Sequence, residues 1–261
     1  MTLILKMIYK YYHDLMEHYT DPRTKDCFLA QSPLIPIVIV TLYFQFVQKW
    51  GPSLMKNRPA FNLNKVLVVY NVLQIVLSTR LFYLGCKHAY VFGPYRYICE
   101  PVDYSEEPLA VLAANEVHNY YLLKVLDLLD TIFFVLRKKQ KQATFLHIYH
   151  HIGMVLAVWV GVRFIPGGHV LFIGLVNTFV HMVMYSYYLR AIFDDSSKIW
   201  WKKYITLLQI FQFGIITIQW LLMILGPSCG FPKGLALIFL PQNTFMTAMF
   251  LDFYYKAYIK K

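Results

Sequence analysis

An all-α, polytopic membrane fold with seven transmembrane helices is predicted by three observations. The 261-residue chain is 58% hydrophobic and only 15% charged, with a mean hydropathy of +0.45, whereas soluble domains run at about 45–50% apolar and about 25% charged. Its apolar residues gather into seven long runs, and its cations gather in alternate gaps between them. Such a composition argues against a soluble enzyme and excludes a disordered chain. The alternating pattern of a β-barrel is absent.

A spanning helix needs about 20 mostly apolar residues. The runs lie near Leu34–Gln48, Val66–Cys86, Leu109–Leu136, Thr144–Val162, Val170–Leu189, Tyr204–Leu225 and Leu235–Tyr255. The first is the shortest, and the third is long enough to tilt or protrude. Residues 1–32 do not read as a signal peptide, because Lys6, Lys10, His13, Asp14, Glu17 and His18 interrupt every apolar stretch. Leu3, Ile4, Met7, Tyr11 and Leu15 make one apolar stripe there, as in a helix lying on a membrane surface. Residues 1–261 are thus expected to form one integral membrane domain, with 256–261 as a tail.

The loops set the orientation. Lys49, Lys56, Arg58 and Lys65, then Arg137, Lys138, Lys139 and Lys141, then Arg190, Lys198, Lys202 and Lys203, then Lys256, Lys260 and Lys261 all fall on one side. These are 15 of the 25 Lys and Arg residues; the opposite loops hold only Lys87, Arg96, Arg163 and Lys233, with four more cations in the N-terminal segment. The positive-inside rule makes the first set cytosolic, the N-terminus non-cytosolic and the C-terminus cytosolic. The net charge of +11 is therefore a topology signal and not a nucleic-acid patch. Cys99 and Cys229 both fall in non-cytosolic loops, where the environment is oxidising, and a disulfide between them is predicted; two free thiols are the alternative. Cys27 and Cys86 lie near span ends, unpaired.

Charged side chains inside a bilayer are costly and usually face an interior cavity. The third run carries Lys124, Asp127, Asp130 and Thr131, with Lys124, Asp127 and Thr131 on one face. A self-neutralising ion pair that fixes helix packing is one reading of them. The fourth opens on His147, His150 and His151, spaced i, i+3, i+4. Imidazole can move protons, attack acyl groups or bind metal. The fifth places Asn177, His181, Tyr185 and Tyr188 on one stripe, and the sixth carries Thr206, Gln209 and Gln212 followed by Phe213. Tyr188 could equally be an interfacial anchor, and the glutamines could simply join helices. All these stripes lie in the cytosolic half or near mid-membrane. They outline one site ringed by Lys and Arg, Lys202 and Lys203 among them, suited to a polyanion with an apolar tail such as an acyl-coenzyme A.

At these residues the sequence resembles the very-long-chain fatty acid elongases, membrane 3-ketoacyl-CoA synthases. The family's His-x-x-His-His box stands at 147–151, its His-x-x-Met-Tyr-x-Tyr-Tyr motif at 181–188 and its Thr-x-x-Gln-x-x-Gln-Phe motif at 206–213. Its Lys-x-x-Glu-x-x-Asp-Thr motif appears at 124–131 with Asp127 in place of Glu, and an Asn-Arg-x-Pro-Phe element is altered at Asn57–Phe61. The resemblance covers residues 27–258. It implies seven helices, six of them enclosing a narrow acyl tunnel, a luminal Cys99–Cys229 disulfide and residence in the endoplasmic reticulum. The implied reaction is condensation of acyl-CoA with malonyl-CoA to 3-ketoacyl-CoA, CO2 and CoA, with no cofactor and no metal. His147, His150, His151 and His181 are its expected catalytic residues; Lys124, Asp127, Asp130, Asn177, Tyr185, Tyr188, Gln209, Gln212, Lys202 and Lys203 are expected around the substrate. The bilayer and the two CoA esters are the expected partners; other enzymes of the elongation cycle and a second copy are compatible with it.

Two other readings share single features. A membrane di-iron desaturase also uses His-x-x-His-His, but in several boxes, whereas His13, His18, His88, His118 and His169 are scattered here. A seven-helix receptor shares the span count, but its seventh-span Asn-Pro-x-x-Tyr element is missing. A catalytically dead scaffold is disfavoured by the complete set of histidines.

Overall fold

In hydrocarbon a backbone must satisfy its own N–H and C=O groups, and an apolar segment does so by coiling into a helix. The computed structural model describes residues 3–194 and 199–260, and among these it contains helices and no strands. Lys198 and Lys261, two of the cations counted above, lie outside the described residues. The helices are α1 (Leu3–His18), α2 (Leu34–Met55), α3 (Asn64–Tyr90), α4 (Pro108–Leu136), α5 (Phe145–Phe164), α6 (Leu171–Phe193), α7 (Lys202–Leu225) and α8 (Ala236–Tyr254).

Six helical segments are long and apolar enough to cross a bilayer: Leu34–Met55, Asn64–Tyr90, Phe145–Phe164, Gly168–Phe193, Lys202–Leu225 and Lys233–Ile259. The remaining run, α4, has 29 residues but carries Glu116, Lys124, Asp127 and Asp130. The first span is longer than its apolar run. It passes Gln48 through a wide π turn at Phe46–Trp50 and continues as Gly51–Met55. Pro52 has no N–H and its ring would strike the carbonyl four residues back; the π turn just before it takes up that mismatch.

Helices α3 to α8 each touch two neighbours in the cyclic order α3, α4, α5, α8, α7, α6, so the six close on themselves. The most extensive packing is α3 against α6, where a Cβ on Gly85 would sit 2.9 Å from Leu175 Cδ1. The α3–α4 contact is sparse and is bridged by Arg80, which donates to both oxygens of Glu116 at 2.7 and 2.8 Å. Helix α2 stands outside the ring against α4 and α5; a Cβ on Gly51 would come within 2.6 Å of Val135 Cγ1.

One end of the ring is capped. Cys99 and Cys229 form the predicted disulfide, with Cα atoms 6.0 Å apart, while Cys27 and Cys86 are free. The N-terminal segment divides in two. Leu3, Ile4, Met7 and Tyr11 of α1 are exposed, as a helix lying on a bilayer surface requires. Residues 20–31 instead fold onto the capped end: Thr24 Oγ1 donates to Val162 O at 2.6 Å, Arg163 donates to Lys25 O at 2.7 Å, and Trp159 Nε1 donates to Ala30 O at 3.1 Å. The opposite end carries the basic loops.

Candidate active site

Thr144 caps α5 by accepting from the His147 backbone N–H at 3.3 Å. A helix starting there places His147, His150 and His151 on one face within its first two turns. The rings cluster, with centroids of His147 and His151 4.3 Å apart and those of His150 and His151 5.8 Å apart. All three line a cavity of about 470 Å³ that opens toward the basic end.

The opposite wall comes from α6 and α7. Asn177, His181 and Tyr188 line it from α6, and Thr206, Gln209, Gln212 and Phe213 from α7. Asp130 contributes from α4, and Arg137, Lys139, Lys141 and Lys202 form the rim. Burial and the adjacent Arg137 pull the Lys139 ammonium below its ordinary pKa. His181 Nδ1 and Gln212 Oε1 are buried with no hydrogen-bond partner in the protein, and such atoms cost about 1–3 kcal/mol each unless a ligand or water meets them. His181 Nδ1 approaches Asp127 Oδ2 at 3.5 Å without closing a hydrogen bond.

Four sequence-predicted site residues stand away from this cavity. Lys124 is 2% exposed; its ammonium donates to Asp127 Oδ2 at 2.8 Å and to Asn177 Oδ1 at 2.9 Å, and lies over the Tyr120 ring at 4.9 Å. Asp127 also accepts from Gln74 Nε2 at 2.9 Å. Tyr185 donates to Asp130 Oδ2 at 2.7 Å, behind the wall. These three form the frame that holds Asn177 and Asp130 in place. Lys203 is exposed, over the Tyr204 ring at 5.0 Å.

The frame includes residues that the motifs do not contain. Gln74 Nε2 lies 2.9 Å from both Asp127 Oδ1 and the Tyr70 hydroxyl, and Tyr70 lies 3.5 Å from the Tyr185 hydroxyl. The signal was present in the second run, where Tyr70, Gln74 and Ser78 recur every fourth residue and are all buried. Tyr120 donates to Asn177 Oδ1 at 2.8 Å. It also lines a second cavity of about 160 Å³, almost wholly apolar, toward the capped end. The Tyr120–Asn177 bond therefore stands between a polar chamber and an apolar one. Among the described residues, no three His, Cys, Asp or Glu side chains are grouped as metal ligands.

Comparison with known proteins places this arrangement. Residues 28–261 match the GNS1/SUR4 (ELO) family. The chain is 40% identical to very long chain fatty acid elongase 7 of Drosophila melanogaster over 259 residues, which cover 98% of this chain and 78% of that protein. It is 40% identical to elongase 7 of Rattus norvegicus over 243 residues (92% and 86%), and 36% identical to elongase 4 of Homo sapiens over 264 residues (98% and 83%). Matched over nearly its whole length, the chain belongs to the GNS1/SUR4 family, that of the very long chain fatty acid elongases.

Proposed function

We propose that this protein condenses a long-chain acyl-CoA with malonyl-CoA, giving 3-ketoacyl-CoA, CO2 and CoA, as an integral enzyme of the endoplasmic reticulum membrane. The observation that carries the reading is one chamber with the three clustered histidines on one wall, His181 and Gln212 unpartnered on the other, and a basic rim. In this reading α4 also spans the bilayer, making seven spans in one domain with the N-terminus luminal and the C-terminus cytosolic. The polar and apolar chambers join past Tyr120 and Asn177 into a narrow tunnel for the acyl chain. The CoA phosphates meet Arg137, Lys139, Lys141 and Lys202, whose mutual repulsion a polyanion relieves.

His150 attacks the thioester carbonyl; the new N–C bond forms as the C–S bond breaks, and CoA leaves as a thiol with the proton that the imidazole gives up, which His150 regains from water on its later release. Malonyl-CoA then loses CO2, and the resulting enolate carbon attacks the acyl-imidazole carbonyl, forming the C–C bond and releasing His150. Negative charge develops on oxygen in each step, and in this reading His181 and His147 stabilise it. His151, packed against both other box histidines, holds them in position. Lys124 acts indirectly, by fixing Asn177.

The test is expression in elongase-deficient cells with a fatty-acid profile, beside His150→Ala. New elongated products with the wild type and none with the variant are expected; no new product of any chain length would overturn the reading. Radiolabelled acyl-CoA supplied without malonyl-CoA should leave label on the wild-type protein. An unlabelled but active enzyme would replace the covalent step by direct attack with the box as general base.

A further inference from the structure

Tyr43 belongs to none of the motifs and sits on α2, the helix outside the ring. It is nonetheless buried, and its hydroxyl lies 2.7 Å from Thr131 Oγ1 on α4, its single hydrogen-bond partner among the described residues. Thr131 Oγ1 in turn lies 2.9 Å from His147 Nε2. The three form a chain running from outside the ring to the histidine box.

A hydroxyl carries one proton and can accept two bonds, and a neutral imidazole has one N–H and one acceptor nitrogen. The chain can therefore be oriented in two ways along its length; if both neighbours instead donated to Thr131, its own proton would go unmet, because among the described residues Thr131 Oγ1 bonds only Tyr43 and His147. If His147 donated to Thr131 and Thr131 to Tyr43, the tyrosine proton would be buried with no acceptor, at the cost of an unmet donor. If Tyr43 donates to Thr131 and Thr131 to His147 Nε2, every proton is used. Only the second orientation satisfies the chain, and it puts the His147 proton on Nδ1, the nitrogen left for the cavity.

We infer that Tyr43 is a positioning residue for the condensation: acting through Thr131, it fixes His147 as the tautomer that offers an N–H to the reacting oxygens. This rests on the proposed function, and specifically on His147 stabilising oxyanion charge. Without the tyrosine hydroxyl, Thr131 is free to turn its proton to the carbonyl one turn back, as helical threonines do, and the tautomer preference is lost.

The experiment measures kcat and KM for acyl-CoA elongation in wild type, Tyr43→Phe, Thr131→Val, Thr131→Ser, the Tyr43→Phe/Thr131→Val double variant and His147→Ala. Phe keeps the ring that packs between α2 and α4. Tyr43→Phe and Thr131→Val are expected to lower kcat about tenfold, equivalent to about 1.4 kcal/mol, with KM unchanged. Thr131→Ser restores the hydroxyl and should keep most of kcat. The double variant should be no slower than Thr131→Val, because the relay is already broken. Wild-type kcat in Tyr43→Phe, a change in KM alone, or losses that multiply in the double variant would overturn the inference. An inactive wild type would instead overturn the elongation reading, and a fully active His147→Ala would remove the role of His147 on which Tyr43 depends.

Discussion

Asp127→Asn isolates the charge in the frame behind the active site. The substitution keeps the shape of the side chain and a carbonyl oxygen, but removes the only carboxylate among the described residues that bonds the Lys124 ammonium. That ammonium, 2% exposed, would retain the Asn177 oxygen and the face of Tyr120 but no bonded counter-charge. Removing one partner of a buried pair typically costs about 3–5 kcal/mol. At roughly 2–4 °C per kcal/mol for a chain of this size, the thermal midpoint in detergent should fall by on the order of 10 °C. Lys124→Met should cost less. The carboxylate it leaves behind still accepts from Gln74 Nε2 at 2.9 Å, and the Tyr185 hydroxyl dipole lies 3.2 Å away. The Lys124→Met/Asp127→Asn double variant should recover much of the loss from Asp127→Asn alone, since neither charge is then stranded. The assay is thermal unfolding of the purified variants followed by tryptophan fluorescence. An Asp127→Asn midpoint within 2 °C of wild type, or a double variant as unstable as the worse single one, would show that the pair is not held as described.

Two further outcomes test the chambers. Lys139→Gln, Lys141→Gln and Lys202→Gln should each raise KM for acyl-CoA by about two- to five-fold, the range of an exposed charge contact, with a weaker salt dependence; Lys203→Gln, whose side chain stands off the cavity, should not. Equal effects at Lys203 would mean that the rim acts only through its general field. Gly174 lines the apolar cavity, and a Cβ built there meets nothing within 4 Å. Gly174→Leu should therefore fold normally, since each newly buried methylene contributes about 0.8 kcal/mol, and shift products to shorter chains. An unchanged product distribution would remove this cavity from the acyl path.

The features read correctly in advance are those governed by local rules. Each apolar run forms a helix because hydrocarbon leaves the backbone no other partner. His147, His150 and His151 share a face because helical geometry fixes i, i+3 and i+4 whatever surrounds them. The cation pattern separates the two ends of the bundle, and placing Cys99 and Cys229 at the same end makes their bond possible. Lys124 shows where this reasoning ends. Its stripe with Asp127 was legible, but a charge on an inward face can meet a substrate or a neighbouring helix, and the packing of α6 against α4 delivers Asn177 and closes it off.

The sequence by itself thus determined the helical membrane class, the polar faces and which end of the bundle carries the basic loops, because each depends on composition or on a period of a few residues. Only the tertiary structure decided which side chains complete one another: Gln74 on Asp127, Tyr120 on Asn177, and Tyr43 through Thr131 on His147. These partners lie between 16 and 88 residues apart. Their meeting depends on the rotation and depth of one helix against another, which no local period encodes. It is fixed by close backbone approaches such as Gly51 against Val135 and Gly85 against Leu175.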